Sequence, residues 1–191
     1  MDASIIDRLT IYRNLLTLRD GTRVLLRLVD RTDKNRLQAM FAVVSDEDLR
    51  SMRDNVKNPA TIQRWIDGLD YSQVIPLVAV VNDDIVGDAT LHLGKGPQRH
   101  TAELRIFLSK PYRQRGLGVA MLKAMIDLAK KLNLHLLTAQ VIADRTFIIR
   151  AFRGVGFQLH TTLPDYFMMP DGETLDVALL ILPLVRTVTE F

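Results

Sequence analysis

The segment RQRGLG, residues 113–118, has the clearest potential for ligand chemistry in this sequence. Arg113 and Arg115 carry positive charge, and Gly116 and Gly118 have no side chain to keep a ligand from the backbone. The apolar run that follows is typical of a helix, whose first amides have no partner inside it. Such amides, at the positive end of the helix dipole, favour an anion. The spacing predicts a phosphate-binding turn, with a plain glycine turn as the alternative.

The kind of phosphate ligand is narrowed by two motifs that do not occur at this segment. No Gly-Lys-Ser/Thr sequence follows the glycines, so the segment is not a P-loop. A dinucleotide fingerprint would need G-x-G-x-x-G and an acidic residue about twenty positions later, and neither occurs here. The phosphate is therefore expected to belong to another ligand.

Turn residues and the spacing of apolar residues predict the strands and helices that position this turn. Asp20-Gly21 predicts a hairpin within residues 15–29, and Asn82 to Asp84 predict a second one. Strands alternate with helices after that, which predicts a single α/β domain with a mixed sheet. Further strands are expected at residues 75–81, 85–93, 101–108, 134–142, 157–163 and 175–183. Helices are expected from about residues 33, 45 and 59 and over 116–132 and 145–153.

Composition excludes several classes of function. The chain has 191 residues, 48% of them hydrophobic, and a net charge of only +3 with no Lys/Arg run, so no nucleic-acid partner is expected. Cysteine is absent, which excludes disulfides and thiolate nucleophiles. The four histidines have no spacing typical of ligands, so no metal site is expected. Charges at Asp2, Asp7 and Arg8 argue against a signal peptide, and the apolar runs are too short for a membrane span, which predicts a soluble cytoplasmic protein.

Two stretches carry a family resemblance. AELRIFLSKPYRQRGLGVAMLKAMIDLAKKL, residues 102–132, resembles the acyl-CoA-binding motif of the GNAT superfamily of N-acetyltransferases, with Arg113, Gly116 and Gly118 on its R/Q-x-x-G-x-G/A positions. AFRGVGF, residues 151–157, resembles the end of that family's next conserved block. The resemblance implies one GNAT acyltransferase domain over residues 1–191, with its core at about 23–184 and a mixed central sheet flanked by helices.

The resemblance also implies the cosubstrate and the roles of individual residues. Acetyl-CoA would place its pyrophosphate on the amides of the turn and its pantetheine arm along the strand before it. Glu103 would act as general base, directly or through water, on the acceptor ammonium. It lies ~17 Å along the strand from Leu108, a span that an extended pantetheine arm can cover. The residues assigned to the coenzyme are Ile106, Phe107, Leu108, Arg113, Gln114, Arg115, Gly116, Leu117 and Gly118.

Several alternatives stay open at this stage. Arg105 shares a strand face with Glu103, and an ion pair would lower the pKa of Glu103 and weaken it as a base. Many GNAT members have an Asn and a proton-donating Tyr where this sequence has Arg145 and Phe152. Tyr166, expected in a loop, could protonate the leaving thiolate, or it could have only a packing role in that loop. In the second case, water would supply the proton.

The acceptor is expected to be a primary amine, either a protein lysine or a small amine or amino acid. Residues 27–53 loosely resemble the entry region of bacterial protein-lysine acetyltransferases. A non-catalytic acyl-CoA-binding module is the alternative, and a homo-oligomer stays open. Asp88, Thr90 and His92 share one strand face, which predicts either an acceptor groove or a solvated surface. The acceptor loops are expected at residues 45–58, 94–100 and 164–173.

Overall fold

The computed structural model describes residues 10–50 and 52–184, and the charged positions near the amino terminus lie outside this part of the chain. An eight-stranded sheet has the order β1-β2-β3-β4-β5-β6-β8-β7. The strands are β1 (Arg13–Thr17), β2 (Arg23–Leu28), β3 (Val74–Val81), β4 (Asp84–Leu93), β5 (Thr101–Leu108), β6 (Leu136–Ile142), β7 (Gln158–Met168) and β8 (Thr174–Pro183). The α-helices within the described ranges are α1 (Lys34–Ala42), α2 (Asp46–Arg50), α3 (Pro59–Asp67), α4 (Leu117–Lys131) and α5 (Thr146–Gly154).

The two predicted hairpins are present, and each turn uses residues that tolerate a left-handed backbone. Gly21 has φ +85° between β1 and β2, and Asn82 and Asp83 have φ +49° and +69° between β3 and β4. Both hairpins pair their strands antiparallel. The first four strands therefore form a meander that leads directly into β5.

Helices cover both faces of the sheet because successive residues of a strand point to opposite faces. Leu104 of β5 packs in the cluster that contains Met121 and Leu128 of α4. Phe107 packs on the other face, in the cluster with Phe41 of α1 and Ile62 of α3. The alternation in β5 therefore places Glu103, which shares the parity of Phe107, on the face opposite α4.

A buried ion pair joins β2 to the start of α1. Asp33 is fully buried, and Arg27 is 8% exposed. The guanidinium of Arg27 donates to both carboxylate oxygens of Asp33 at 2.5 and 2.6 Å. Asp33 also accepts from the backbone N–H of Asp30, which completes a capping box ahead of the helix. This network fixes the direction in which the chain leaves β2.

The predicted loop at residues 164–173 is wrong in its first half, because β7 continues to Met168. The pairing of β7 with β8 is irregular between Leu163 and Phe167, and Asp165 has φ +50° there. Pro164 is tolerated because β7 is the edge strand and an irregular position needs no N–H from it. The connection between β7 and β8 is therefore only residues 169–173.

Candidate active site

The glycine turn between β5 and α4 presents backbone amides rather than side chains. Gln114 has φ +61° and Gly116 has φ +89°, so two left-handed residues follow the extended Arg113 within this turn. Backbone N–H groups of turns of this kind can form an anion-binding concavity. Gly116 is the N-cap of α4, and no side chain caps this helix end. Because the first amides of a helix have no partner inside it, those of Leu117 and Gly118 remain available for an anion.

Gly118 brings this turn close to the end of β5. A Cβ atom at Gly118 would lie 3.2 Å from Cδ1 of Leu108, which is tighter than ordinary van der Waals contact. Leu117 is fully buried beside it and anchors the start of the helix in the core. The structure therefore brings the predicted residues of the turn together at the carboxyl end of β5.

Both arginines of the turn are engaged by carboxylates. Arg113 donates from Nε to the carbonyl of Leu108 at 2.9 Å and from Nη2 to Oδ2 of Asp48 at 2.8 Å. Arg115 pairs with Asp20 at 3.1 Å. A phosphate group would therefore meet the backbone amides directly, but it would compete with Asp48 for the charge of Arg113.

A gap opens between β5 and β6 directly beyond Glu103. The two strands are parallel and pair over only three residues of each, ending at Glu103 opposite Thr138. β5 nevertheless continues to Leu108, because it stays paired with β4 on its other side. From Leu104 onward, the β5 edge that faces β6 therefore has no strand partner among the residues that the structure describes.

The unpaired edge of β5 presents the peptide groups of alternate residues. The carbonyl of Thr101 accepts from Gly94 N–H on the β4 side, whereas the carbonyl of His100 accepts from His135 N–H on the opposite side. Because this direction alternates along a strand, the peptide groups that face the gap belong to Leu104, Ile106 and Leu108. Phe107, also predicted as a coenzyme residue, points its peptide groups toward β4.

Glu103 lies at the closed end of this gap and binds two guanidinium groups. Arg105 donates from Nε and Nη2 to the two carboxylate oxygens, at 3.1 and 2.9 Å. Arg53 donates from Nη2 to Glu103 at 2.5 Å and to Oε1 of Gln140 on β6 at 2.8 Å. Arg53 therefore bridges the two strands at the point where they separate.

The two arginines keep Glu103 ionised. Burial opposes the charge of Glu103, but the hydrogen bond from Arg105 and the charges of Arg105 and Arg53 outweigh it and hold its pKa below the usual value. The ion pair with Arg105, which the sequence left as an alternative, is present, and Arg53 joins it. Glu103 is consequently an anion at neutral pH and a weaker base than a free carboxylate.

The polar face of β4 lies beside this cluster, as the sequence predicted. His92 is opposite Glu103, Thr90 is opposite Arg105, and Asp88 is opposite Phe107. Burial and the charge of Arg105 lower the pKa of His92 to about 4, so this imidazole is neutral at pH 7. Burial raises the pKa of Asp88 to about 7.

Helix α2 is attached to the surroundings of the gap by three ion-paired side chains, in addition to the packing of Leu49 against the apolar cluster of α1 and α3. None of its residues is buried. Asp48 binds Arg113 after β5, Glu47 binds Arg145 after β6 at 2.7 Å, and Arg50 binds the connection between β7 and β8 through Asp171 and Glu173. This part of the chain therefore lies against both sides of the gap.

Phe152, which replaces the Tyr of the GNAT pattern, has a structural role, and Tyr166, the alternative proton donor, lies away from the gap. Phe152 is 2% exposed and packs edge-on against Phe157, with the ring centroids 5.0 Å apart. Tyr166 lies in β7, is 52% exposed and contacts the ring of Phe167. Three strand spacings separate β7 from β5, roughly 14 Å, so the Tyr166 hydroxyl does not reach a sulfur beside Glu103.

Arg53 is the functional candidate that the sequence did not indicate. It lies between α2 and α3, and its partners are 50 and 87 positions away along the chain. No local pattern marks an arginine of this kind. Within residues 10–50 and 52–184, no three side chains are grouped to hold a metal ion, and no helix has the length and apolar character of a membrane span.

Comparison with known proteins identifies the family. Residues 23–158 match the acetyltransferase (GNAT) domain, which is most of the chain. The chain therefore belongs to the GNAT acetyltransferase family. This assignment confirms the α/β fold and the acyltransferase class that the sequence predicted.

Individual relatives are distant. L-amino acid N-acetyltransferase AaaT of Escherichia coli K12 is 28% identical over 115 residues, 59% of this chain and 70% of that protein. A GNAT-family acetyltransferase from Streptococcus pneumoniae has a TM-score of 0.73 at 22% identity, covering 84% of this chain and 99% of that one. The phosphinothricin acetyltransferase of Sinorhizobium meliloti, solved with acetyl-CoA, has a TM-score of 0.71 at 19% identity, covering 84% and 88%. These two structures establish similarity of fold.

Proposed function

We propose that the protein is an acetyl-CoA-dependent N-acetyltransferase that modifies a primary amine by direct attack on the thioester. One observation carries the proposal: the gap between β5 and β6 begins at Glu103 and runs toward the amide-rich turn beyond Leu108. Five residues of strand separate these two ends, ~17 Å, which suits an extended pantetheine arm.

The donor would bind mainly through backbone groups. The amides of the turn between Arg113 and Gly118 would hold the diphosphate, because two of them begin α4 and no side chain caps this helix end. The peptide groups of Leu104 and Ile106 would bond with the amides of the pantetheine arm, as a further strand would. Arg113 already occupies the carbonyl of Leu108, so it supports this edge while its charge stays near the diphosphate.

Glu103 would take the proton that the acceptor ammonium must lose. The neutral amine then attacks the thioester carbonyl carbon, a C–N bond forms, the C–S bond breaks, and coenzyme A leaves as a thiolate. Its thiol pKa of about 8.5 makes this thiolate an acceptable leaving group that water can protonate. The buried Phe152 supplies no proton. No covalent enzyme intermediate is needed, in agreement with the absence of cysteine.

The acceptor is an amine, and the choice between a protein lysine and a small amine or amino acid is part of the proposal. The relative from Escherichia coli is named as an L-amino acid N-acetyltransferase, which favours a small acceptor here. A second candidate function is a non-catalytic acyl-CoA-binding module. The low pKa of Glu103 favours it, because a strongly paired carboxylate is a poor base.

Incubation with acetyl-CoA and a panel of amines tests the proposal, with thiol release and the mass of each acceptor as readouts. We expect an acceptor-dependent gain of one acetyl group. Tight CoA binding without acetylation of any amine would instead favour the binding module.

A glycine variant tests the donor site separately. Gly118→Val places a branched side chain against Leu108 and the first amides of α4, so we expect the Kd for CoA, measured by calorimetry, to rise at least about tenfold. Gly154→Ala is the matched control, because an added Cβ there meets no atom within 4 Å. Unchanged CoA affinity in a folded Gly118→Val protein would exclude the turn as the diphosphate site.

A further inference from the structure

Arg53 occupies a position that the acetyl-transfer reaction alone does not require. Its guanidinium lies across the closed end of the gap, between Glu103 on β5 and Gln140 on β6. Its side chain is 44% exposed, whereas that of Glu103 is 20% exposed. Arg53 is therefore the more exposed member of the pair, and an acceptor amine that binds Glu103 competes with its guanidinium.

From this arrangement we infer that the acceptor carries a carboxylate next to its amine, as an α-amino acid does, and that Arg53 binds that carboxylate. The inference rests on the proposed N-acetyltransferase function and names the substrate class of the same site. It makes Arg53 a specificity-determining residue.

The spacing of charges supports this substrate class. Arg53 Nη2 and Glu103 Oε1 are 2.5 Å apart. The amino nitrogen and the nearer carboxylate oxygen of an α-amino acid are roughly 3 Å apart, since three bonds join them. A zwitterion of this size can exchange partners with the ion pair, its ammonium binding Glu103 and its carboxylate binding Arg53. Each charge then keeps an opposite charge in contact.

A simple amine lacks the second half of this exchange. Its ammonium would compete with Arg53 for Glu103 but would give Arg53 no anion in return, and an unpaired charge at a partly buried site is unfavourable. The side-chain nitrogen of a protein lysine is flanked only by methylene groups, and the terminal amine of a peptide by a neutral amide, so both meet the same difficulty. The cluster therefore selects against these acceptors.

Arg105 is the arginine that stays with Glu103. It holds the carboxylate through two hydrogen bonds, from Nε and Nη2, whereas Arg53 uses only Nη2. Arg105 extends from β5 itself, whereas Arg53 lies outside the helices and strands. When the substrate carboxylate binds Arg53, the ammonium takes the place of that guanidinium on Glu103, so the proton to be lost is in contact with the base.

Paired acceptors test the inference: α-amino acids against the corresponding α-amino acid amides, which lack only the carboxylate charge. We expect wild-type kcat/KM to be at least about tenfold higher for the acids, although the amides have the less basic amine. Arg53→Met should lower kcat/KM for the acids roughly 10- to 100-fold, mostly through KM, and change the amides less than about threefold. Arg53→Lys should recover part of the loss, and Arg153→Met, an exposed arginine of α5, is the control.

Two outcomes would overturn the inference. One is a wild-type kcat/KM for the amides or for lysine peptides that equals the kcat/KM for the acids. The other is an equal loss of kcat/KM for acids and amides in Arg53→Met. Titration of acids and amides into CoA-saturated protein gives an independent decision, because binding needs no turnover. If no amine is acetylated at all, the proposed function fails, while this titration still shows whether Arg53 selects a carboxylate.

Discussion

Replacing Glu103 by glutamine removes one negative charge and nearly preserves the shape of the side chain. General-base catalysis contributes about 10²- to 10⁴-fold, and the low pKa of Glu103 places it at the weaker end of that range. We expect Glu103→Gln to lower kcat about 100- to 300-fold at pH 7, or about 3 kcal/mol of transition-state stabilisation. The Kd for CoA should not change, since the diphosphate turn lies ~17 Å along β5.

The same substitution has a separate effect on folding. Glu103 accepts from Arg53 and from two nitrogens of Arg105, and an amide oxygen replaces the carboxylate only in part. Allowing for solvent screening at a partly exposed site, we expect a loss of about 1 kcal/mol in the free energy of unfolding, measured in urea. Asp127→Asn, which removes an exposed carboxylate of α4, is the matched control for charge. Activity should therefore be compared well below the transition temperature.

Steady-state kinetics over pH 5 to 9 completes this test. Because the pKa of Glu103 is below its ordinary value, Glu103 stays ionised across this range. The rise of kcat/KM with pH should then follow the pKa of the acceptor amine in both proteins, with a uniformly lower curve for Glu103→Gln. Turnover within about threefold of wild type, with CoA affinity unchanged, would show that Glu103 is not the base.

Two further substitutions test the electrostatics of the fold. Burial raises the pKa of Asp88 to about 7, so the stability that its protonated form supports is complete below about pH 4 and is lost as pH rises through 7. Between pH 4 and 8, the free energy of unfolding of the wild type in urea should fall by about 2 kcal/mol relative to that of Asp88→Asn. This is about half of what the full pKa shift would give, because the carboxyl is partly solvated. If the free energies of the two proteins ran parallel over this pH range, the raised pKa of Asp88 would be contradicted. Asp33→Asn leaves the buried guanidinium of Arg27 with only the more distant and more exposed carboxylate of Asp30, 3.8 Å away, so we expect the free energy of unfolding to fall by about 3 kcal/mol. A fall below about 1 kcal/mol would show that the pair does not bear on stability.

Local signals account for the parts of the fold that the sequence predicted well. Asp20-Gly21 and the pair Asn82 and Asp83 adopt the left-handed conformations that their residue types permit, so both hairpins follow from neighbouring residues alone. The glycine turn before α4 is of the same kind, because Gly116 must have a positive φ there. The alternation within β5 placed Glu103 and Arg105 on one face for a similar reason.

Contacts between distant segments account for what the sequence did not predict. Arg53 reaches Glu103, and Asp48 reaches Arg113, across 50 and 65 positions of chain. Nothing near Arg53 distinguishes it from an ordinary surface arginine before the fold is formed. The extension of β7 past Pro164 was missed because only the position of β7 at the sheet edge makes a proline acceptable there.

The short pairing of β5 with β6 also bears on how the domain holds together. Three residues of parallel ladder connect a five-stranded unit, β1 to β5, with a three-stranded unit, β6 to β8. A donor molecule bonded along the open edge of β5 would lie between these two units. Because it binds only the folded protein, its binding free energy would add to the stability of the whole sheet. Acetyl-CoA would then be a structural component of the enzyme as well as a reactant, and its departure after each turnover would briefly loosen the joint.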